Sequence, residues 1–173
     1  TLEAALNIDT GMNRLGMTTT EAQGLIPRIN AGDHGITLVM SHLASAEMLH
    51  NSANARQLAA FREIASLYSG VPKSLANSSG IFLGAQFVFD LVRPGCALYG
   101  INPTPEADNP MQPVVDLKAR VVQIRNVERG ETVGYGGTWT ARRPTRIALV
   151  SAGYADGYFR AASANDGTRG AEV

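Results

Sequence analysis

The chain has 173 residues, of which 45% are hydrophobic and 17% charged. That is enough apolar material for one packed domain, or one and a part, and it excludes wholesale disorder. Lys plus Arg number 15 and Asp plus Glu number 15, so bulk charge gives no reason to expect nucleic acid or an anionic membrane as partner. The single cysteine, Cys96, cannot close a disulfide within the chain, and no Cys/His set has zinc spacing. No metal is therefore expected, and a reducing, cytoplasmic compartment is. No apolar run approaches the ~20 residues that span a bilayer. The opening TLEAALNIDTG has neither an initiator Met nor the form of a secretory leader, and it begins just before a strand-like run. A cut piece of a longer protein is the expectation.

The first predicted element is a buried strand over Ala4–Asp9. Thr18-Thr19-Thr20-Glu21 fits a capping box, after which Ala22, Leu25 and Ile29 share one helical face. Gly32 and Gly35 are expected to close that helix region. Ile36–Ser41 reads as the next strand, being β-branched and apolar. Asn51 or Ser52 is placed to cap the longest helix, with Leu58, Phe61, Ala65 and Tyr68 at three- to four-residue spacing and Gly70 and Pro72 as its stop. A short strand over Lys73–Asn77, a helical segment around Gly80–Phe87, the run Phe89–Val92 and an Arg93-Pro94-Gly95 turn follow.

Strand and helix thus alternate at least three times, the pattern of a parallel sheet with crossover helices. Polar groups follow the strands: Asp9-Thr10-Gly11, His42, Asn77-Ser78 and Arg93. Such strand ends are where (β/α) barrels place their chemistry. The texture changes after Asn102, where Pro103, Pro105, Pro110 and Pro113 read as a linker. Beyond it, Val115–Val127, Thr132–Thr140 and Thr145–Ser151 read as strands of an antiparallel β domain. The expected division is 1–113 and 114–173.

Four groups of patches carry the chemistry: IDTGMNRLG (Ile8–Gly16); SHLASAE (Ser41–Glu47); LANSSG with VRPGCALYG (Leu75–Gly80, Val92–Gly100); and VGYGGTW with GYADGY (Val133–Trp139, Gly153–Tyr158). Each alone is weak. Together, in this order, the chain resembles the alanine racemase family from its start to about Arg160. The resemblance implies an α/β fold, the C-terminal half of a (β/α)₈ TIM-type barrel followed by part of a β-rich domain. It also implies pyridoxal 5'-phosphate as cofactor, alanine as substrate, and a homodimer with sites shared between subunits.

The same resemblance implies roles for individual residues. Arg14, otherwise a solvated arginine after a Gly-Met turn, matches the arginine that holds the substrate carboxylate, a task suited to a planar guanidinium. Many family members have a carbamylated lysine where Asn7 stands, so Arg14 is expected to need another partner, such as a bound anion. His42 matches the histidine packed on the cofactor ring. Asn77, Ser78, Gly95 and Cys96, readable alone as two ordinary turns, match the phosphate cradle, with Cys96 acting through its N–H. Arg93, readable alone as a strand-end salt-bridge partner, matches the arginine that faces the ring nitrogen. Ser74 stands where some relatives place a histidine beside it.

Tyr135, readable alone as an aromatic packed at a glycine turn, matches one of two bases and serves the partner subunit's site. Racemisation takes a proton from one face of the α-carbon and returns one to the other, so a lysine and a tyrosine on opposite faces suffice. A free phenol titrates near 10, so a tyrosine base needs a nearby cation, for which Arg93 and His42 are the candidates. Tyr154 and Arg160 match residues lining the substrate's way in, and Asp156 is placed to cap or pair locally. Neither Lys73 nor Lys118 matches the cofactor lysine, so the chain by itself is expected to be inactive. Three other readings stay open: a serine or broad-specificity racemase, a non-catalytic pyridoxal-phosphate binder, and a structural fragment with no function of its own. A β domain bearing Tyr135 argues against the second.

Overall fold

The computed structural model describes residues 3–30, 34–163, 165 and 167, and divides into two compact units, Thr1–Val115 and Asp116–Val173. Gly32, expected to close the first helix region, lies outside the described residues.

In the first unit, strands β1 (Ala4–Asn7), β2 (Ile36–Met40) and β3 (Lys73–Ser74) form a parallel sheet in the order β1-β2-β3. Helix α1 (Thr19–Asn30) connects the first pair and helix α2 (Ser52–Ser66) the second. Both helices begin where their local chemistry dictates. The Thr18 N–H donates to Glu21 Oε2 at 2.8 Å and the Glu21 N–H donates to Thr18 Oγ1 at 3.2 Å, the reciprocal capping box expected there. Asn51 caps α2 by accepting the Ala53 N–H at 2.9 Å. Pro27 lies inside α1, in its last turn, where it removes a backbone donor.

The core fills the space between sheet and helices. Ile8, Val39, Phe61, Ile64, Tyr68 and Leu75 are buried, and Phe61 meets Phe89 edge to face at 5.1 Å. Each such side chain contributes about 1.5–3 kcal/mol by leaving water. The Tyr68 hydroxyl donates to the Ala22 carbonyl and ties α2's end to α1.

Several segments are shorter or different than the sequence suggests. The third strand ends at Ser74 instead of Asn77, and the predicted helical segment is two 3₁₀ turns, Ser79–Leu83 and Ala85–Phe87. Phe89–Val92 forms no strand. This part of the chain is tethered one bond at a time, Leu91 N–H to Lys73 O at 3.1 Å and Arg93 N–H to Ala76 O at 2.9 Å. Pro103, within the proline-rich stretch, is fully buried.

The second unit is antiparallel. Strands β4 (Val121–Val127) and β7 (Thr145–Val150) pair in one ribbon, and β5 (Thr132–Val133) and β6 (Trp139–Thr140) in another. The first of these strands begins at Val121, not Val115. The run predicted over Thr132–Thr140 is a hairpin whose 3₁₀ turn, Tyr135–Gly137, is flanked and filled by left-handed glycines around Tyr135: Gly134, Gly136 and Gly137. Among the described residues no helix is long and apolar enough to cross a membrane.

Candidate active site

The first unit's site grows from the C-terminal ends of its strands. After β1 the chain turns back through a loop that carries Arg14. The Asp9 carboxylate fastens this loop by accepting the Gly11 and Met12 N–H groups, each at 2.8 Å. Slight burial pushes the Asp9 carboxyl up, but those bonds and further ones from Asn13 and Arg14 outweigh it and hold it below the usual carboxylate value. Asn13 adopts φ +55° within the turn. Asn7 Nδ2 donates to the Leu15 carbonyl at 2.7 Å, so this neutral side chain fastens the loop's backbone. Arg14 itself is exposed.

Ser41 and His42 follow the end of β2 at Met40. The half-buried His42 imidazole has its pKa pushed down, first by burial and then by the charges of Arg93 and Arg14. Both causes favour the uncharged ring, so of the two candidate cations for a tyrosine base Arg93 is the one that brings a permanent charge.

Arg93 lies beyond β3, where it forms a bridge with Asn77. Its guanidinium donates through Nη1 to Ser74 Oγ and through Nη2 to the Ser41 carbonyl. Burial lowers its pKa, yet an arginine starts so high that it stays charged. Ser74, completely buried, donates its own hydroxyl hydrogen to the Leu91 carbonyl at 2.7 Å. Ser74 is thus Arg93's direct acceptor.

Ser78, Gly95 and Cys96 come together. Ser78 Oγ accepts the Gly95 N–H at 2.8 Å and the Ala97 N–H at 3.3 Å, which joins the two turns. The Ser78 hydroxyl hydrogen stays available for a further acceptor. A Cβ placed on Gly95 would meet nothing within 4 Å, so the backbone there faces open space. Asn77 orients this loop from inside, with Oδ1 accepting the Gly80 N–H at 2.9 Å and Nδ2 lying 3.5 Å from His42 Nε2. A hydroxyl and backbone amides around open space suit a phosphate; a half-buried cation and a neutral ring suit a flat, polar aromatic. The donor set fits pyridoxal phosphate.

Tyr135, Tyr154 and Arg160 belong to the second unit. Tyr135 stands at the hairpin turn and is 89% exposed. Tyr154 and Arg160 lie in two exposed 3₁₀ turns, Tyr154–Asp156 and Arg160–Ala162. Asp156 caps the first of these by accepting the Gly153 N–H at 2.9 Å.

One residue escaped the sequence reading: Gln57, which bonds to Thr10 and to the His42 backbone beneath the loops, while Thr10 in turn bonds to Ser41. Asn54 and Gln57 interrupt the otherwise apolar buried face of α2, and that polar break was the available signal.

Two joined turns with an open backbone face, a fixed guanidinium and a half-buried histidine at the strand ends of an α/β unit form a donor set that suits a cofactor with an anionic group and a flat ring. The particular family follows from comparison. A family model described as alanine racemase, N-terminal domain, matches residues 1–103, and one described as alanine racemase, C-terminal domain, matches residues 114–172. The chain belongs to the alanine racemase family. It is 53% identical over 162 residues to an alanine racemase of Methylobacterium nodulans, covering 94% of this chain and 44% of that protein. Identity is 54% over 159 residues to one of Acidiphilium cryptum, covering 91% and 44%. Among solved structures, the biosynthetic alanine racemase of Pseudomonas aeruginosa aligns with a TM-score of 0.82 at 35% identity, covering 94% of this chain and 46% of that one. The alanine racemase of Bartonella henselae, with covalently bound pyridoxal phosphate, aligns at 0.76 and 44% identity, covering 91% and 44%. The chain thus spans less than half the length of the relatives it matches.

Proposed function

We propose that this chain is part of an alanine racemase that interconverts L- and D-alanine with pyridoxal phosphate, as a homodimer. In this reading the first unit is the second half of a (β/α)₈ barrel, the enzyme works in the cytoplasm of a bacterium, and its D-alanine supplies peptidoglycan. The observation that carries it is the Arg93 guanidinium held by Ser74 Oγ and the Ser41 carbonyl. Bound pyridoxal phosphate supplies a sink for the electrons left on the α-carbon when its proton departs. Arg93 would face the ring nitrogen as a hydrogen-bond donor that keeps its own proton, and so would leave that sink weaker. Proton return then competes well against side reactions.

Ser78, with the backbone of Gly95 and Cys96 and the support of Asn77, holds the phosphate. His42, uncharged, packs on the ring. Arg14 holds the substrate carboxylate, and its loop is fastened by Asp9 and Asn7. Tyr135 moves the proton on one face in the partner subunit's site, with Tyr154 and Arg160 lining the way in. The opposite base is a lysine. Neither Lys73, whose Nζ donates to the Tyr68 carbonyl at 2.9 Å, nor Lys118 matches the family's cofactor lysine, so another lysine of the full-length protein takes that part in this reading. The 173-residue chain alone is inactive.

The test is optical rotation of L-alanine with the native enzyme, run beside L-serine. Loss of rotation with alanine, faster than with serine, is expected. Rotation lost with serine alone would move the substrate; rotation lost with neither would end the racemase reading.

A further inference from the structure

We infer that Gln57 is a positioning residue that locks the Arg14 loop and the His42 turn into one unit. It stands on α2, touches no reacting group, and is 2% exposed. Its amide reaches three places at once. Nε2 donates to the His42 carbonyl at 2.9 Å and to Thr10 Oγ1 at 3.4 Å, and Oε1 accepts the Ala44 N–H at 2.9 Å. The amide's orientation is set by these partners: turned over, its oxygen would face the His42 carbonyl oxygen and its NH₂ would face the Ala44 N–H.

The network continues past Gln57. Thr10 Oγ1 shares a hydrogen bond of 2.7 Å with Ser41 Oγ, and the Ser41 carbonyl accepts from Arg93. Gly11 packs against the Gln57 stem, since a Cβ there would lie 3.4 Å from Gln57 Cγ. One buried side chain therefore links the start of the loop that carries Arg14, both sides of the His42 turn, and the strand end on which Arg93 rests. A buried amide with all these bonds made holds a single arrangement; with them removed, polar backbone is left unpaired and the loops drift apart.

This inference rests on the roles proposed for Arg14 and His42, so its test has two arms. Gln57→Met keeps side-chain length and removes every bond. Ile64→Ala, two turns along the same helix and buried in the core, is the control for simple loss of stability. In the native protein, amide exchange over residues 9–16 and 42–45 should rise about tenfold above the control in Gln57→Met. The KM for alanine should rise by a similar factor while kcat moves less than about threefold, as expected when binding geometry alone is loosened. Thr10→Val, nearly isosteric, gives the same pattern more weakly and stands in if Gln57→Met does not fold. Exchange no faster than in the control overturns the inference. So does faster exchange with unchanged KM in an enzyme that racemises alanine. If the parent enzyme does not racemise alanine, the proposed function fails, and the exchange arm alone decides whether Gln57 holds the loops.

Discussion

Two glycines, Gly16 and Gly24, should respond oppositely to the same substitution. Gly16 closes the Arg14 loop at φ +134°, and a Cβ there would lie 2.9 Å from the Asp9 nitrogen and 3.1 Å from the Asn7 oxygen. Those are backbone atoms already engaged, Asp9 N–H to Met17 O at 2.8 Å and Met17 N–H to Asn7 O at 2.9 Å. Gly16→Ala must strain φ, at about 1–3 kcal/mol, and loosen at least one of these bonds, at about 1 kcal/mol. The expected loss is about 2–4 kcal/mol. Gly24 sits inside α1 with nothing within 4 Å of the new methyl, so Gly24→Ala should stabilise by about 1 kcal/mol through helix propensity. Thermal melts should separate the two clearly, because about 1 kcal/mol moves Tm by roughly 4–8 °C in a unit of this size. A Gly16→Ala melt equal to the parent's would refute the close packing of this loop, and a lower melt for Gly24→Ala would refute the open helix face.

Ser78→Ala strips the Gly95 and Ala97 N–H groups of their shared acceptor. Absorbance titration with pyridoxal phosphate should show affinity falling about tenfold or more, from a hydrogen bond lost to a charged group. NMR titration of His42 should give a midpoint below the ordinary 6.5. The ring is neutral in the fold and charges more easily when unfolded, so its contribution to stability is complete above 6.5 and is lost as pH falls through the folded value. Arg93→Met should return part of that shift, the remainder belonging to burial, which is the larger cause. Arg93→Lys replaces a planar fork with a single ammonium that cannot span Ser74 Oγ and the Ser41 carbonyl as the fork does. Racemisation should fall by about tenfold, and pyruvate, released when alanine's amino group is transferred to the cofactor instead of the proton returning to the α-carbon, should appear at a measurably higher ratio.

What the sequence made legible was local or periodic. The Thr18–Glu21 box reads directly because its two bonds close within three residues. The α2 stripe of Leu58, Phe61, Ala65 and Tyr68 reads because burial repeats at helical spacing. The Ser78–Gly95 cradle was visible only as two motifs; their meeting depends on a bond across 17 residues. Gln57 showed only as a polar break in an apolar helix face; its role was not legible, since its partners are 13, 15 and 47 residues away and its type alone suggests a solvated position. The extended runs were overread for a related reason. Residues 115–120 and 135–138 have strand-like composition, but a strand needs a partner in register, and the described pairings begin at Val121 and break at the Tyr135 turn.

The proposed racemisation depends most directly on Tyr135 being one of two opposed bases. Deuterium exchange at the α-carbon, followed from L- and from D-alanine in the native enzyme and in Tyr135→Phe, measures each face separately. The phenol's removal should slow proton loss from one enantiomer by about a hundredfold or more and spare the other by comparison. Exchange unchanged from both enantiomers would contradict it.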